Sequence, residues 1–244
     1  MARDRRNQTS AEPAAEAEGA SLAARIAPAV PPPKAAERKP VAADIAEALR
    51  EAGVQDGWKA LVAAHPHLGA FHEGVFAAST FLKETALADP ARWLAILAAA
   101  PEERFQQLIA ATHALGSAED EASVMQGLRR ARAEVALLVG LADLGGVWPV
   151  DDVTARLTTF ADAALGAAVA FLLRDAARTG AVALDDAGDP ASASGWIILG
   201  MGKYGAGELN YSSDIDLIVL FDPDIARVAD RDEIGTFFVR LTRR

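Results

Sequence analysis

The chain has 244 residues, of which 51% are apolar, no cysteine and a formal net charge of −10. This composition excludes disulfides and thiolate metal sites. The negative charge argues against a general nucleic-acid-binding surface, which needs net positive charge to displace counterions. No apolar core follows the charged start of the chain, so we expect no secretion signal and a cytoplasmic protein of one large or two modest domains.

The first 41 residues are predicted to form a disordered tail, because six of the twelve prolines lie there among Ala, Glu and Lys. Such a segment buries too little apolar surface to offset its ordering entropy. Residues 42–182 repeat apolar residues at helical spacing and predict a domain of five or more helices. The most apolar run, residues 165–173, is too short to span a bilayer, so we predict a buried helix face and no membrane partner.

Residues 190–244 are predicted to form a second domain that combines strands with a helix. Two strand-like runs, 196–200 and 214–222, are followed by an amphipathic segment at 231–244. The second run is continuous and rich in β-branched residues, so we expect it to be covered on both faces. The predicted fold class is therefore mostly α with a partial α+β part.

The glycines between the two strand-like runs admit two familiar explanations, and the spacing fits neither. Gly200, Gly202 and Gly205 match G-x-G-x-x-G, but only about eight residues separate Gly205 from the next strand, too few for a dinucleotide-binding crossover helix. A phosphate-binding P-loop would need Gly at the position of Ile197 and Ser or Thr at that of Tyr204.

The carboxylates at the start of the second run suggest a metal site. Asp214 and Asp216 point to one face of a strand, because successive side chains alternate. Two neighbouring carboxylates repel unless a cation lies between them, and Mg²⁺ prefers such oxygen ligands together with substrate phosphates. An isolated Asp-x-Asp is more often a solvated edge or a turn cap. The preceding glycine turn, Lys203 and the Ser212–Ser213 pair favour a metal-dependent nucleotidyl-transfer site instead.

The stretch LGMGKYGAGELNYSSDIDLIVLF resembles the motif of the bacterial glutamine synthetase adenylyltransferases, which carry two nucleotidyltransferase domains. The chain departs from that motif at Tyr204, usually Leu, and at Ala206, usually Gly. The helical stretches upstream are also similar, so the resemblance covers about residues 75–244. It implies a helical domain followed by the start of a polymerase-β-like nucleotidyltransferase domain, the adenylyl-removing one, at 190–244.

The resemblance also implies roles for single residues and for partners. Asp214 and Asp216 would be the catalytic metal ligands, and Gly200, Gly202, Lys203, Ser212 and Ser213 would contact phosphate or nucleotide. The implied partners are adenylylated glutamine synthetase, ADP or ATP, phosphate and the PII signalling protein. The implied reaction is phosphorolysis of adenylyl-tyrosine with release of ADP, beside the opposite transfer of AMP from ATP in the second domain.

One departure from the wider superfamily bears on activity. That superfamily uses a third carboxylate on a later strand, and no matching stretch occurs before Arg244. We therefore expect an N-terminal fragment with little or no activity alone. Two alternatives stay open at this point: a non-catalytic helical binding module, and a different nucleotidyltransferase that uses the same Asp-x-Asp.

His65, His67 and His72 raise the possibility of another metal site. His-x-His fits one helix face poorly, so the sequence favours solvated or capping histidines. Trp58, Trp93 and Trp148 are predicted to be core or interface residues.

Overall fold

A computed structural model describes residues 19–27, 34–186, 188–192 and 194–244. The described chain is mostly helical with one small antiparallel sheet, which confirms the predicted fold class. The helices are α1 Leu22–Arg25, α2 Ala35–Glu51, α3 Gln55–Ala64, α4 His67–Ala78, α5 Thr80–Leu87, α6 Pro90–Ala98, α7 Pro101–Ala114, α8 Glu121–Leu144, α9 Val150–Arg178, α10 Gly202–Gly205 and α11 Ile234–Thr242. The strands are β1 Trp196–Gly200 and β2 Leu217–Phe221, and a 3₁₀ turn, Leu115–Ser117, follows α7.

Helix boundaries follow local signals in the sequence. Helix α6 begins at Pro90, and the Asp89 side chain accepts a hydrogen bond from the backbone N–H of Arg92 at 3.1 Å. Helix α9 has two acids in its first turn and Arg178 in its last, as the helix dipole favours. These helices lie where the spacing of apolar residues predicts them.

Part of the segment predicted as a tail takes part in the core. Leu22 and Ala23 on α1 are fully buried. The backbone N–H of Leu22 donates to the carbonyl of Ala99, and that of Ala27 to the carbonyl of Gly145, both at 2.8 Å. Composition averaged over the segment obscures this short apolar cluster. The end of the predicted tail is also ordered, because residues 35–41 form the start of α2 and Val41 is buried. Residues 1–18 and 28–33 lie outside the described residues.

The chain divides into two compact units: residues 1–106 with 136–149, and residues 107–135 with 150–244. Helices α7 and α8 contribute residues to both. The second unit contains α9 as well as both strands, whereas the sequence predicts a domain boundary between residues 182 and 190. That boundary stays a prediction.

The first unit has an aromatic core centred on His72, which is fully buried. Its Nε2 accepts a hydrogen bond from Trp93 Nε1 at 3.2 Å, so Nδ1 carries the proton and donates to the Leu68 carbonyl at 2.8 Å. Burial lowers the pKa of His72 to about 4. The expectation of a solvated or capping histidine is therefore wrong here, whereas the prediction that Trp93 is a core residue is confirmed.

Helix α9 supplies much of the core of the second unit. Ala167, Val169, Phe171 and Leu173 are buried, which confirms the buried face predicted for residues 165–173. By length and composition α9 is the one described helix that could cross a membrane, with a mean hydropathy of 1.4 over 18 residues. Core helices of soluble proteins pass the same test, so this is weak support for a membrane span.

The two-stranded sheet is covered on one face only within the described chain. Trp196 and Ile198 pack against an apolar cluster that includes Phe238 of α11. On the other face the cross-strand pairs Ile197–Leu220 and Leu199–Ile218 are exposed. The prediction that β2 is covered on both faces is therefore wrong for this structure, because an apolar run alone does not show which elements pack against it.

His72 makes the stability of the first unit sensitive to acid. Its pKa is about 4 in the folded state, against 6.5 for an unperturbed histidine, so the unfolded chain takes up a proton first as pH falls. Stability is therefore complete above pH 6.5 and is lost toward pH 4, by about 2 kcal/mol between pH 7 and pH 5. Urea unfolding at several pH values should show this loss in the unmodified chain.

His72→Gln removes the titrating ring but keeps a donor and an acceptor. It should therefore reduce the loss of stability between pH 7 and pH 5. His113→Gln changes an exposed histidine and is the control, which should behave like the unmodified chain. An equal acid loss in all three chains would contradict the assignment to His72.

Candidate functional site

The candidate site lies where the two strands end. Strands β1 and β2 are antiparallel, and Gly200 opposite Leu217 is their last pair. The hydrogen-bonded ladder continues one step further, because the backbone N–H of Met201 donates to the Asp216 carbonyl at 2.8 Å. A dinucleotide-binding crossover joins parallel strands, so the antiparallel pairing agrees with its rejection from the spacing.

Two glycines let the turn after β1 fold tightly against this end. Gly202 has a φ of +56°, in the left-handed region that favours glycine. A Cβ built on Gly202 would lie 3.5 Å from Oδ2 of Asp216, so the Gly202 backbone lies beside that carboxylate. A Cβ on Gly205 would collide with the Gly200 carbonyl oxygen. The structure therefore places the Gly202 backbone beside Asp216, and phosphate contacts by Gly200 and Gly202 stay predictions.

Lys203 follows in the four-residue helix α10 and is exposed. Its carbonyl accepts from the N–H of Glu208 at 2.8 Å, which closes the turn. Its side chain makes no ion pair within the part of the chain that the structure describes. The ammonium is therefore available to an anionic ligand.

The two serines differ in their surroundings. Ser213 Oγ donates to Asn210 Oδ1 at 2.9 Å and accepts from the N–H of Asn210 at 3.2 Å. The N–H of Ser212 also donates to Asn210 Oδ1, at 3.1 Å. Asn210 thus organises the loop that leads to the acids, a role visible in sequence only as an Asn before two serines. Phosphate contacts by Ser212 and Ser213 stay predictions.

Helix α9 holds the turn from the other side. The Tyr204 hydroxyl donates to Asp162 Oδ1 at 2.6 Å, and the N–H of Leu209 donates to Thr158 Oγ1 at 3.3 Å. Burial, and then the neighbouring Asp162, raises the pKa of Tyr204, so its hydroxyl stays a donor. Neither α9 residue is recognisable in the sequence, because both lie more than forty positions before their partners and carry no local motif.

Asp214 and Asp216 are exposed, and neither carboxylate forms an ion pair or a hydrogen bond within the described residues. Their oxygens therefore fit a hard cation. In the described chain no group of three or more potential ligands is present. A cation here would complete its shell with water and phosphate oxygens, as Mg²⁺ commonly does. The common orientation of the two side chains stays a prediction, since the ladder reaches only Asp216.

A glycine turn beside the Asp216 carboxylate at a strand end, with a second exposed carboxylate at Asp214, is the arrangement expected of a nucleotidyltransferase. The family model described as glutamate-ammonia ligase adenylyltransferase matches residues 72–244. This match covers more than half of the chain, and the chain belongs to that family.

Similar proteins carry the name bifunctional glutamine synthetase adenylyltransferase/adenylyl-removing enzyme. One from Xanthobacter autotrophicus is 48% identical over 170 residues, which is 70% of this chain and 17% of that protein. One from Rhodopseudomonas palustris strain BisB5 is 41% identical over 232 residues, which is 91% of this chain and 22% of that protein. The chain thus spans about a fifth of the length of the curated relatives it matches.

The close approach of Gly205 to Gly200 predicts a sharp cost for a single methyl group. Gly205→Ala should destabilise the second unit by about 2 kcal/mol, since the obstructing atom is a backbone oxygen that moves only with the strand. Chemical denaturation followed by circular dichroism measures this change.

Gly166→Ala on α9 is the matched control, because a Cβ there meets nothing within 4 Å. Glycine in a helix interior costs stability, so this variant should be about 0.5–1 kcal/mol more stable than the unmodified chain. Equal stability of the two alanine variants would refute the tight turn.

Proposed function

We propose that this chain is part of an enzyme that moves adenylyl groups to and from glutamine synthetase, with Gly200–Asp216 at its adenylyl-removing site. The observation that carries the proposal is the position of the Gly202 backbone beside the free Asp216 carboxylate. Family membership and the names of the relatives, which mention both adenylyl transfer and adenylyl removal, support it.

The proposed ligand at the two carboxylates is Mg²⁺, held by Asp214 and Asp216. Bound Mg²⁺ supplies positive charge that stabilises the attacking and leaving oxygens of a displacement at phosphorus. Lys203 adds a second positive charge from the turn, and the N–H groups near Gly200 and Gly202 approach phosphate oxygens. Ser212 and Ser213 add hydroxyl contacts to phosphate. The Ser213 hydroxyl makes its contact while it also bonds to Asn210.

The proposed reaction is phosphorolysis of an adenylylated tyrosine. An oxygen of inorganic phosphate forms a bond to the α-phosphorus, the bond from phosphorus to the tyrosine oxygen breaks, and that oxygen takes up a proton from phosphate. The products are ADP and unmodified tyrosine, and no covalent enzyme intermediate is needed. Attachment of AMP from ATP is assigned to the second nucleotidyltransferase domain that the family resemblance implies.

The exposure of the site suits a tyrosine carried on a protein surface. Asp214, Asp216 and Lys203 are all exposed, so a macromolecular substrate reaches them without entering an enclosed cavity. Adenylylated glutamine synthetase is therefore the proposed substrate, and the proposed location is the cytoplasm. Regulation through the PII signalling protein belongs to the same proposal and rests on the family resemblance.

The test is Asp216→Asn in the whole enzyme that carries this segment. Phosphate-dependent ADP release from adenylylated glutamine synthetase should fall on the order of 100-fold or more, because one cation ligand is lost. Asp224→Asn is the control, since it neutralises another exposed carboxylate near the far end of β2, and it should leave the rate unchanged. Equal rates of ADP release for both variants and the unmodified enzyme would contradict the proposed site.

A further inference from the structure

Two residues of α9 hold the glycine turn from one helix face. Thr158 and Asp162 are four residues apart, so their side chains lie one above the other on the helix. Asp162 accepts from the Tyr204 hydroxyl at 2.6 Å, before Gly207, and Thr158 accepts from the N–H of Leu209 at 3.3 Å, after it. The segment from Tyr204 to Leu209 is thus held on α9 at both of its ends.

The Tyr204 ring lies against the last residue of β1. It is 7% exposed, and a Cβ on Gly200 would lie 2.9 Å from its ring carbon Cδ1. In the same turn, the N–H of Gly205 donates to the Met201 carbonyl at 3.0 Å, and the N–H of Met201 donates to the Asp216 carbonyl at 2.8 Å. A shift of Tyr204 would therefore move the backbone that lies beside Asp216.

The hydroxyl adds a contribution that the ring's apolar contacts do not supply. A hydrogen bond to an ionised carboxylate is shorter and stronger than one between neutral groups, and the 2.6 Å separation is typical of that class. The bond also has a direction, so it fixes the rotation of the ring as well as its depth.

We propose that Asp162 and Tyr204 form a positioning pair, which fixes the Gly202–Lys203 turn against Asp216 and thereby sets how tightly this end of the sheet binds a divalent cation with phosphate. The inference rests on the proposed function, because it assigns helical residues that support that same site. Neither residue touches the reacting atoms.

The first test measures position without any ligand. In the 244-residue chain, Tyr204→Phe removes only the hydroxyl, and hydrogen exchange at the Met201 and Gly205 amides should become about tenfold faster. Asp162→Ala should have the same effect. Exchange in the double variant should be no faster than in either single one, because each change removes the same hydrogen bond. Unchanged exchange at these two amides would overturn the positioning role.

Asp175→Asn is the matched control for a general loss of stability. Asp175 also lies on α9 and accepts side-chain hydrogen bonds, from Arg178 at 2.6 Å and Arg244 at 2.8 Å. It is 13 residues beyond Asp162, or roughly 20 Å along the helix. In Asp175→Asn, hydrogen exchange at the Met201 and Gly205 amides should speed up no more than in the rest of the second unit. A selective increase at these two amides would overturn the inference.

The second test uses Mn²⁺ as the probe, with inorganic phosphate present, followed by electron paramagnetic resonance. Tyr204→Phe should weaken Mn²⁺ binding about tenfold, whereas Asp175→Asn should not change it. If Asp216→Asn weakens Mn²⁺ binding and Tyr204→Phe leaves it unchanged, the positioning pair is overturned and the proposed function is not. Mn²⁺ binding insensitive to Asp216→Asn overturns the proposed cation site, and the exchange rates then decide the positioning role by themselves.

Discussion

The close approach of a glycine turn to the end of one strand is the constraint on which the rest of the site depends. The Gly205 backbone lies so near the Gly200 carbonyl that no side chain fits between them. That closeness brings Gly202 beside the Asp216 carboxylate, and the ladder step from Met201 to Asp216 keeps the two strands in register there. A phosphate and a cation can then bind next to each other, because backbone donors for the phosphate and carboxylates for the cation occupy the same strand end.

Local patterns in the sequence predicted most of the elements and part of the site. Apolar spacing indicated the helical region that contains α6, α7 and α9, and the two apolar runs indicated β1 and β2. Glycine spacing together with two acids one residue apart indicated the candidate site. These predictions depend on neighbours along the chain, which a sequence displays directly.

Contacts between distant residues could not be predicted in the same way. Asp162 pairs with a tyrosine 42 positions later, and nothing in the composition of α9 marks it. His72 is buried because Trp93 offers it a donor, although its own neighbours, His65 and His67, suggested a solvent-facing cluster. The prediction that β2 is covered on both faces failed for a related reason. An apolar run shows that burial is needed but not which element provides it.

The uncovered face of the sheet has a consequence for handling the chain in solution. Ile197, Leu199, Ile218 and Leu220 form a contiguous apolar surface on strands whose outer edges lack partners among the described strands. Salts such as sulfate and phosphate are excluded from protein surfaces and strengthen apolar association. Phosphate is also the proposed nucleophile, so measuring phosphate binding at high concentration would promote self-association through this exposed face. Light scattering should therefore accompany any phosphate titration of this chain.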